Sequence, residues 1–141
     1  MRQKLNLVTL GVRDLAKSRE FYQQGLGWKP SSASQESIVF FDLGGVALAL
    51  YSREELAADA TIAAAGTGFS GLTLAYNAKS EKEVDAVLKE ARAAGAALVK
   101  APQKVSWGGY SGYFADPDGH LWEVACNPYL ELDKKDALVL P

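Results

Sequence analysis

The apolar residues of this chain come in short runs with either a two-residue or a helical period, which predicts strands alternating with short helices. The first run, Leu5 to Val12, predicts a strand buried on both faces. Asp14 is then the candidate N-cap of a helix over about Leu15 to Gln24, which buries Phe21 and Tyr22. Further strands are predicted over Ser37 to Asp42, Val46 to Tyr51, Gly71 to Tyr76, Ala97 to Lys100, around Tyr113 and Phe114, and over His120 to Ala125.

The pattern Ser-x-x-Glu occurs twice and is typical of a capping box, in which two side chains satisfy the free N–H groups of a helix start. The first box, at Ser52, predicts a short helix over about Arg53 to Ala58. The second, at Ser80, predicts the clearest helix of the chain, over about Glu81 to Ala94. Loops or irregular segments are predicted over Trp28 to Gln35, Ala60 to Ser70 and Pro102 to Gly109.

The order strand, helix, strand, strand, strand occurs twice, which predicts an internal repeat. Val8 to Val12 matches Leu72 to Tyr76, and Phe41 to Leu50 matches Phe114 to Val124, with an insertion around Lys100 to Tyr110. The prediction is an α+β fold of two βαβββ modules, each too small to bury its sheet alone. Packed side by side, they would form one open, cup-like mixed β-sheet with helices outside, whose concave face is the natural ligand site.

The 141 residues are predicted to form a single domain, with module one at about 1–60, module two at about 70–128 and a C-terminal tail at 129–141. The net charge of -2 implies no basic face, which argues against a nucleic-acid partner. No apolar run reaches the roughly 18 residues of a membrane helix, so no membrane partner is expected. The N-terminus lacks a signal-peptide pattern and Cys126 is the single cysteine, which together predict a cytoplasmic protein.

The most informative polar residue is Glu123, the one carboxylate in an otherwise apolar strand. That strand follows the turn Asp116-Pro117-Asp118-Gly119, in which proline fixes φ early and glycine tolerates positive φ late. Strand alternation places Glu123 on the face opposite His120 and Trp122. His120 is predicted to be a turn residue that bonds the backbone. A carboxylate in so apolar a strand needs a partner, water or a ligand.

Two interpretations of Glu123 are therefore open. It is either a ligand anchor or metal ligand, or it is bonded to a neighbouring threonine or tyrosine such as Thr9 or Thr73. Aromatic side chains are candidates for a pocket wall, and Trp107 and Tyr110 stand at the two ends of a glycine-containing flap. The alternative for the aromatic residues is plain core or a subunit contact. The candidate ligand-binding residues are Glu123, Trp107, Tyr110, Tyr113, Thr9 and Thr73.

The two ends of the chain resemble a known family. The stretch LNLVTLGVRDLAKSREFY resembles the opening of vicinal oxygen chelate proteins, the superfamily of glyoxalase I, fosfomycin and bleomycin resistance proteins and extradiol dioxygenases. FADPDGHLWEVACNP is similar to the family's closing motif, and GLTLAYN fits the start of its second module. The resemblance covers about Leu5 to Pro128. It implies the fold and a homodimer, since many relatives pair modules across subunits, but no particular reaction.

The resemblance also implies where a metal would bind. Metal-dependent members hold a divalent ion with His, Gln or Glu from the first strand of each module and Glu from the last. The last-strand ligand falls on Glu123, but the other positions fall on Leu7, Gly71 and Ala49, which have no donor side chains. The expectation is no metal and no other cofactor, with Glu123 the one donor available if a divalent ion binds.

Two functions from different classes follow. The first is a metal-independent protein that binds a small aromatic or amphipathic molecule in the cup, of the sequestering kind seen in bleomycin resistance proteins. The alternative is a metal-dependent lyase or isomerase of glyoxalase type, with Glu123 as base or ligand and the one candidate catalytic residue. A third, blander hypothesis is a partner-interaction domain with a vestigial cup. Whether the protein is an enzyme stays open at this point.

Overall fold

The chain forms two compact units, 1–70 and 71–141. The computed structural model describes residue 1 and residues 6–59, 61, 63–66, 68–70 and 72–139. The first unit carries a three-stranded mixed sheet and the second a four-stranded mixed sheet. The predicted α+β class, with a mixed sheet and helices in each half of the chain, is therefore confirmed.

In the first unit, the first and last strands lie side by side. Strand β1 (Leu7–Val12) runs parallel to β3 (Ala47–Ser52), and β3 pairs antiparallel with β2 (Ile38–Asp42). Helix α1 (Leu15–Glu20) follows β1, and helix α2 (Arg53–Asp59) follows β3. The order of strands across the sheet is β1-β3-β2.

The helix after β1 begins as predicted and ends differently. The carboxylate of Asp14 accepts the N–H of Lys17 at 3.0 Å, so the cap is confirmed. The predicted continuous α-helix is wrong in its last turn, because Phe21–Gly25 forms a π-helical turn. Leu26 N–H donates to the carbonyl of Phe21 at 2.9 Å, a wider loop than an α-helix closes.

The first strand is less buried than its apolar sequence predicts. Leu10 and Val12 are buried, but Leu7 is exposed, and Leu5 lies outside the described residues. Among the described strands, β1 is at the edge of its sheet and has β3 as its one partner. The prediction of a strand buried on both faces is therefore wrong at its start.

The first unit has three strands in its described part, one fewer than the repeat predicts. The segment 28–35, predicted to be a loop or an irregular strand, makes isolated bonds instead of a ladder. Ser31 N–H donates to the carbonyl of Phe40 at 2.8 Å, while the N–H of Phe40 donates to the hydroxyl of Ser34 at 3.0 Å. The hydroxyl of Ser34 thus takes the place of a backbone carbonyl as the partner of Phe40, which ends regular strand pairing.

The second unit has the predicted βαβββ order. Its strands lie across the sheet in the order β4-β7-β6-β5, with β4 and β7 parallel and the other pairs antiparallel. The elements are β4 (Leu74–Asn77), α3 (Glu81–Ala93), β5 (Ala97–Lys104), β6 (Tyr110–Ala115) and β7 (Leu121–Cys126).

Helix α3 packs on one face of this sheet. The hydroxyl of Ser80 accepts the N–H of Glu83 at 3.2 Å, which confirms the predicted cap. A Cβ atom added to Gly112 of β6 would lie 2.7 Å from Cδ1 of Leu88, so a glycine lets the helix approach the strand this closely. The buried stripe of α3 consists of Val84, Leu88 and Ala91.

Strand β5 runs further than the sequence predicts. It continues to Lys104, although a loop was expected from Pro102 onward. Shifts in register between Leu98 and Lys100, and again before Gln103, interrupt the ladder to β6. These irregularities let a proline, which cannot donate a backbone hydrogen bond, sit within a strand at the sheet edge.

The tail contains a small hairpin that the sequence analysis did not predict. Strands β8 (Glu131–Leu132) and β9 (Leu138–Val139) pair antiparallel. Asp136, in the turn between them, forms an ion pair with Lys79, so the tail is held beside the start of α3.

The longest helix, α3, has 13 residues, against the roughly 20 that cross a bilayer. No helix in the described part of the chain is long and apolar enough to span a membrane.

Candidate functional site

Strand register in the second unit places four residues in one row across the sheet. Lys100 on β5 lies opposite Tyr113 on β6, Tyr113 lies opposite Glu123 on β7, and Glu123 lies opposite Ala75 on β4. Residues directly opposed across a ladder share one face of the sheet. We call the face that carries Lys100, Tyr113, Glu123 and Ala75 the Glu123 face.

Helix α3 covers the other face, which carries the alternate residues of the same strands. On that face, the rings of Phe114 and Trp122 stack with centroids 6.1 Å apart and planes inclined by 5°. The register therefore agrees with the predicted separation of Trp122 from Glu123.

The partner of Glu123 is a tyrosine. Burial raises the pKa of the Tyr113 phenol, and a side-chain hydrogen bond with Glu123, together with the carboxylate's negative charge, raises that pKa further. Both side chains are half-buried. Partial burial and the neighbouring carboxylate therefore both favour the protonated phenol.

The basic residue Lys100 lies over the tyrosine ring. Its Nζ is 5.9 Å from the centroid of the Tyr113 ring, within the range of a cation–π contact. Among the described lysines and arginines it is the one that is half-buried. The Glu123 face thus carries a cation over the ring of Tyr113 and an anion on the next strand, opposite Tyr113.

The structure separates Tyr110 from this row. Tyr110 lies on the α3 side of the sheet, and its hydroxyl donates to Oδ1 of Asp85 at 2.9 Å. That hydrogen bond is the main reason why the pKa of Tyr110 is raised, followed by burial. The two tyrosines of β6 therefore face opposite ways and have different carboxylate partners.

The predicted flap is a tight hairpin tip between β5 and β6. Val105 N–H donates to the carbonyl of Gly109 at 3.0 Å, which closes the loop. Trp107 is 40% exposed, and its ring lies against Gly109, where an added Cβ would be 1.7 Å from Cζ3. Gly108, at φ +92°, leaves room for the hydroxyl of Tyr129. Trp107 thus packs on the hairpin's own backbone.

The two candidate threonines occupy different units. Thr9 is half-buried on β1 of the first unit, opposite Ala49 of β3. Thr73 is exposed and lies just before β4, two residues ahead of Ala75. Of the predicted site residues, the structure thus brings Tyr113 and Glu123 together, and Lys100 joins them.

Register also tests how the two modules correspond. In the first unit Thr9 pairs with Ala49, and in the second Ala75 pairs with Glu123, in each case across the parallel first and last strands. If Ala49 and Glu123 are equivalent, as the internal repeat indicates, Thr9 corresponds to Ala75.

The second-module equivalent of Leu7 is then Thr73. Leu7 precedes Thr9 by two residues, and Thr73 precedes Ala75 by two residues. The sequence alignment put that equivalent at Gly71, which lies outside the described residues. The corrected position still offers no carboxylate or imidazole.

The Glu123 face does not fit the divalent metal that the family implies. Such ions require several oxygen or nitrogen donors converging on one point. Glu123 has Tyr113 and Ala75 as its cross-strand neighbours, and neither side chain supplies a second carboxylate or an imidazole. Over the described residues, no group of three or more His, Cys, Asp or Glu side chains could hold a metal ion.

The turn before β7 is organised by a buried carboxylate. Oδ1 of Asp116 accepts the N–H groups of Asp118 and His120, each at 2.9 Å. Its Oδ2 lies 2.9 Å from Nδ1 of His120, so the imidazole bonds a side chain and not the backbone. The fully buried carboxylate needs these donors. His120 therefore stabilises the turn that starts the strand of Glu123.

Comparisons with known proteins agree with the resemblance at the two ends of the chain. Residues 4–124 match the model of the glyoxalase/bleomycin resistance protein/dioxygenase superfamily. A glyoxalase-related enzyme from Fulvimarina pelagi is 33% identical, with a TM-score of 0.87 over 98% of each chain. A glyoxalase/bleomycin resistance protein/dioxygenase family enzyme from Burkholderia phytofirmans PsJN is 25% identical, with a TM-score of 0.75 over 87% of this chain and 98% of that chain. Lactoylglutathione lyase from Agrobacterium tumefaciens is 25% identical, with a TM-score of 0.65 over 89% of this chain and 94% of that one. This chain therefore belongs to the glyoxalase/bleomycin resistance protein/dioxygenase superfamily.

Proposed function

We propose that this protein binds a small aromatic or amphipathic molecule on its Glu123 face without the help of a divalent metal. The observation that carries the proposal is the half-buried pair of Tyr113 and Glu123 on a sheet face that α3 does not cover. A half-buried carboxylate beside one phenol has unused acceptor capacity, since its two oxygens offer about four lone-pair sites.

The chemistry of the pair suits an aromatic ligand. The tyrosine ring supplies a flat apolar surface, and offset or edge contacts between rings are worth about 0.5–1.5 kcal/mol beyond burial. Glu123 can accept a further hydrogen bond, which orients a ligand that carries an N–H or O–H group. Ligand sites commonly combine apolar surface with a few such polar groups.

Membership of the superfamily supports binding or catalysis, because its name covers resistance proteins and enzymes alike. The donor set on the Glu123 face favours binding over metal-assisted chemistry. The alternative, a metal-dependent lyase or isomerase of glyoxalase type, is favoured by the relative described as a glyoxalase-related enzyme and by the resemblance to lactoylglutathione lyase. That alternative requires at least one more donor beside Glu123.

The test is a screen of aromatic and amphipathic compounds by thermal shift, followed by titration calorimetry of the compounds that raise Tm. Tyr113→Ala, which removes the ring, and Glu123→Gln are expected to weaken binding of a screened compound. Tyr110→Ala is the matched control, since it removes the same side chain from the same strand on the opposite face. Equal binding by all three variants would contradict the proposal.

A separate variant tests whether the hairpin tip between β5 and β6 belongs to the ligand site. Trp107→Ala removes the exposed indole, and weaker binding in this variant would make the tip part of the same site. Unchanged binding would confine the ligand to the sheet face and leave Trp107 as a support of the turn. The far-UV circular dichroism and Tm of each variant exclude loss of fold as the cause.

The homodimer and the cytoplasmic location stay predictions. Light scattering after gel filtration measures the mass in solution, and a mass near twice 15.1 kDa is the expected result.

A further inference from the structure

We infer that the ligand of the Glu123 face carries an anionic group, which Lys100 binds, and a hydrogen-bond donor at its other end, which Glu123 accepts. The inference rests on the proposed function and names the chemical class of its ligand. It follows from the environment of Lys100, which differs from that of the other lysines.

Lys100 is held partly away from water. Every other lysine and arginine in the described ranges, which leave out residues 2–5, is exposed. A long cationic side chain loses rotamer freedom and hydration when it is half-buried, and proteins usually compensate with a carboxylate partner. A half-buried lysine on a sheet therefore requires an explanation.

Two other lysines of the second unit have such partners. Lys104, four residues further along β5, forms an ion pair with Glu81 of α3, and Lys79 forms one with Asp136. Lys100 has the Tyr113 ring at 5.9 Å and, over the described residues, no carboxylate within ion-pair distance. Its ammonium group is thus available to an anion from outside the protein.

The row sets the length of a ligand that would contact both charged residues. Lys100 and Glu123 belong to β5 and β7, with β6 between them. Neighbouring strands lie about 4.8 Å apart, so the two backbone positions are separated by roughly 9.6 Å. Lys100 extends over the Tyr113 ring, so a ligand with one aromatic ring and a polar substituent at each end is long enough to contact both.

The charges of Lys100 and Glu123 also determine the orientation in which a ligand binds. An anion at the Glu123 end would be repelled by the carboxylate, and a cation at the Lys100 end by the ammonium. A molecule with a carboxylate at one end and an ammonium or hydroxyl at the other matches both partners. Amino-acid-like zwitterions and aromatic hydroxy acids are members of this class.

Calorimetric titration with three probes of one shape tests the inference. The first is 4-(aminomethyl)benzoate, which carries both charges. The second is 4-(aminomethyl)benzamide, which lacks the anion, and the third is 4-methylbenzoate, which lacks the ammonium group. The zwitterion is expected to bind at least about ten-fold more tightly than either of the others, the size of one charge-assisted hydrogen bond.

Variants assign each end of the probe to a residue. Lys100→Met keeps an unbranched apolar side chain but removes the charge, and is expected to abolish the advantage of the benzoate over the benzamide, while Lys100→Arg keeps that advantage. Glu123→Gln is expected to abolish the advantage of the aminomethyl group. Lys104→Met is the matched control, because Lys104 lies on the same strand and faces α3.

The possible outcomes distinguish failure of this inference from failure of the proposed function on which it rests. If the benzamide binds as tightly as the benzoate, and Lys100→Met changes nothing while Glu123→Gln still weakens binding, the anion inference is overturned and the proposed function stands. If no probe binds although the compound screen yields other ligands, the inference is overturned in the same way. If neither probes nor screened compounds bind, the proposed function fails and the inference fails with it.

Discussion

Tyr113 and Glu123 are directly opposite each other on strands β6 and β7, and the carboxylate helps to raise the pKa of the phenol. This contact is made between neighbouring strands of one sheet. The strand with the carboxylate is oriented by the turn at Asp116, and the strand with the phenol is paired on both sides. The pair is therefore a rigid feature of the second unit.

The first prediction concerns the titration of Tyr113. Glu123→Gln removes the negative charge that helps to raise the pKa of this phenol, so the pKa of Tyr113 should fall toward its ordinary value of 10.0. Burial remains, so the fall should be partial. Absorbance at the phenolate band during an alkaline titration measures this pKa, and the absorbance change that is missing from Tyr113→Phe identifies the part that belongs to Tyr113. If that part titrates in Glu123→Gln as it does in the wild type, burial alone raises the pKa.

The second prediction concerns metal. Protein stripped of metal and re-equilibrated with Mn²⁺, Ni²⁺, Zn²⁺ or Fe²⁺ should retain far less than one ion per chain, because Glu123 is the one carboxylate of its row. Elemental analysis of the wild type beside Glu123→Ala measures this. Stoichiometric metal that disappears in the variant would contradict the proposal and favour the lyase or isomerase.

A third prediction concerns the contact between α3 and β6. An alanine at Gly112 would place Cβ 2.7 Å from Cδ1 of Leu88, 2.9 Å from the carbonyl of Lys100 and 3.0 Å from the nitrogen of Pro102. Two of these atoms belong to the backbone and cannot move alone. Gly112→Ala should therefore lower the free energy of unfolding by about 2 kcal/mol, within the usual range for overpacking.

Chemical denaturation at equilibrium measures this change. Gly66→Ala is the control, because its added Cβ meets no atom within 4 Å, and a change of no more than about 0.5 kcal/mol is expected there. Equal effects at both glycines would show that steric contact with α3 and β5 is not the cause.

The fourth prediction concerns alkaline stability. The Tyr76 hydroxyl donates to Oε1 of Glu83 at 2.7 Å, and this bond, followed by burial and the charge of Glu83, raises the pKa of Tyr76 to about 12. The folded protein therefore keeps a proton between pH 10 and 12 that the unfolded chain releases. Its stabilising contribution is complete below pH 10 and is lost as the pH rises to about 12.

Tyr76→Phe should therefore lose less stability between pH 10 and 12 than the wild type does. The difference should be small, because the side chain is 40% exposed and water screens the interaction. Thermal unfolding at several pH values across this window measures it, with Tyr129→Phe at a more exposed tyrosine as control. Parallel declines in the wild type and Tyr76→Phe would contradict the assignment.

Local chemistry in the sequence accounts for most of the second unit. The capping serine at residue 80 and the turn at 116–119 mark the start of α3 and the hairpin that leads into β7, and both are found as predicted. The single carboxylate of an apolar strand likewise identified Glu123. These features are local, so neighbouring residues suffice to predict them.

Lys100 was missed for a physical reason. Leu98 pairs with Phe114 on the α3 side, and plain alternation would put Lys100 on that same side. A shift in register between the two residues turns Lys100 to the Glu123 face instead. The position of a bulge depends on pairing with another strand, so periodicity along one strand could not predict it. The tail hairpin is closed locally by Asp133, whose carboxylate accepts the N–H groups of Lys135 and Ala137, a turn signal that the sequence analysis did not use.

The parallel pairing of first and last strands has a consequence for how the protein is made. On the ribosome, β4 emerges early, but its hydrogen-bonding partner β7 is the last strand of that sheet. Helix α3 and the β5–β6 hairpin can form from neighbouring segments, whereas β4 must wait for a distant one, and such non-local contacts form slowly. Emergence of residues 121–126 therefore completes the sheet, and the same event delivers Glu123 to its place beside Tyr113.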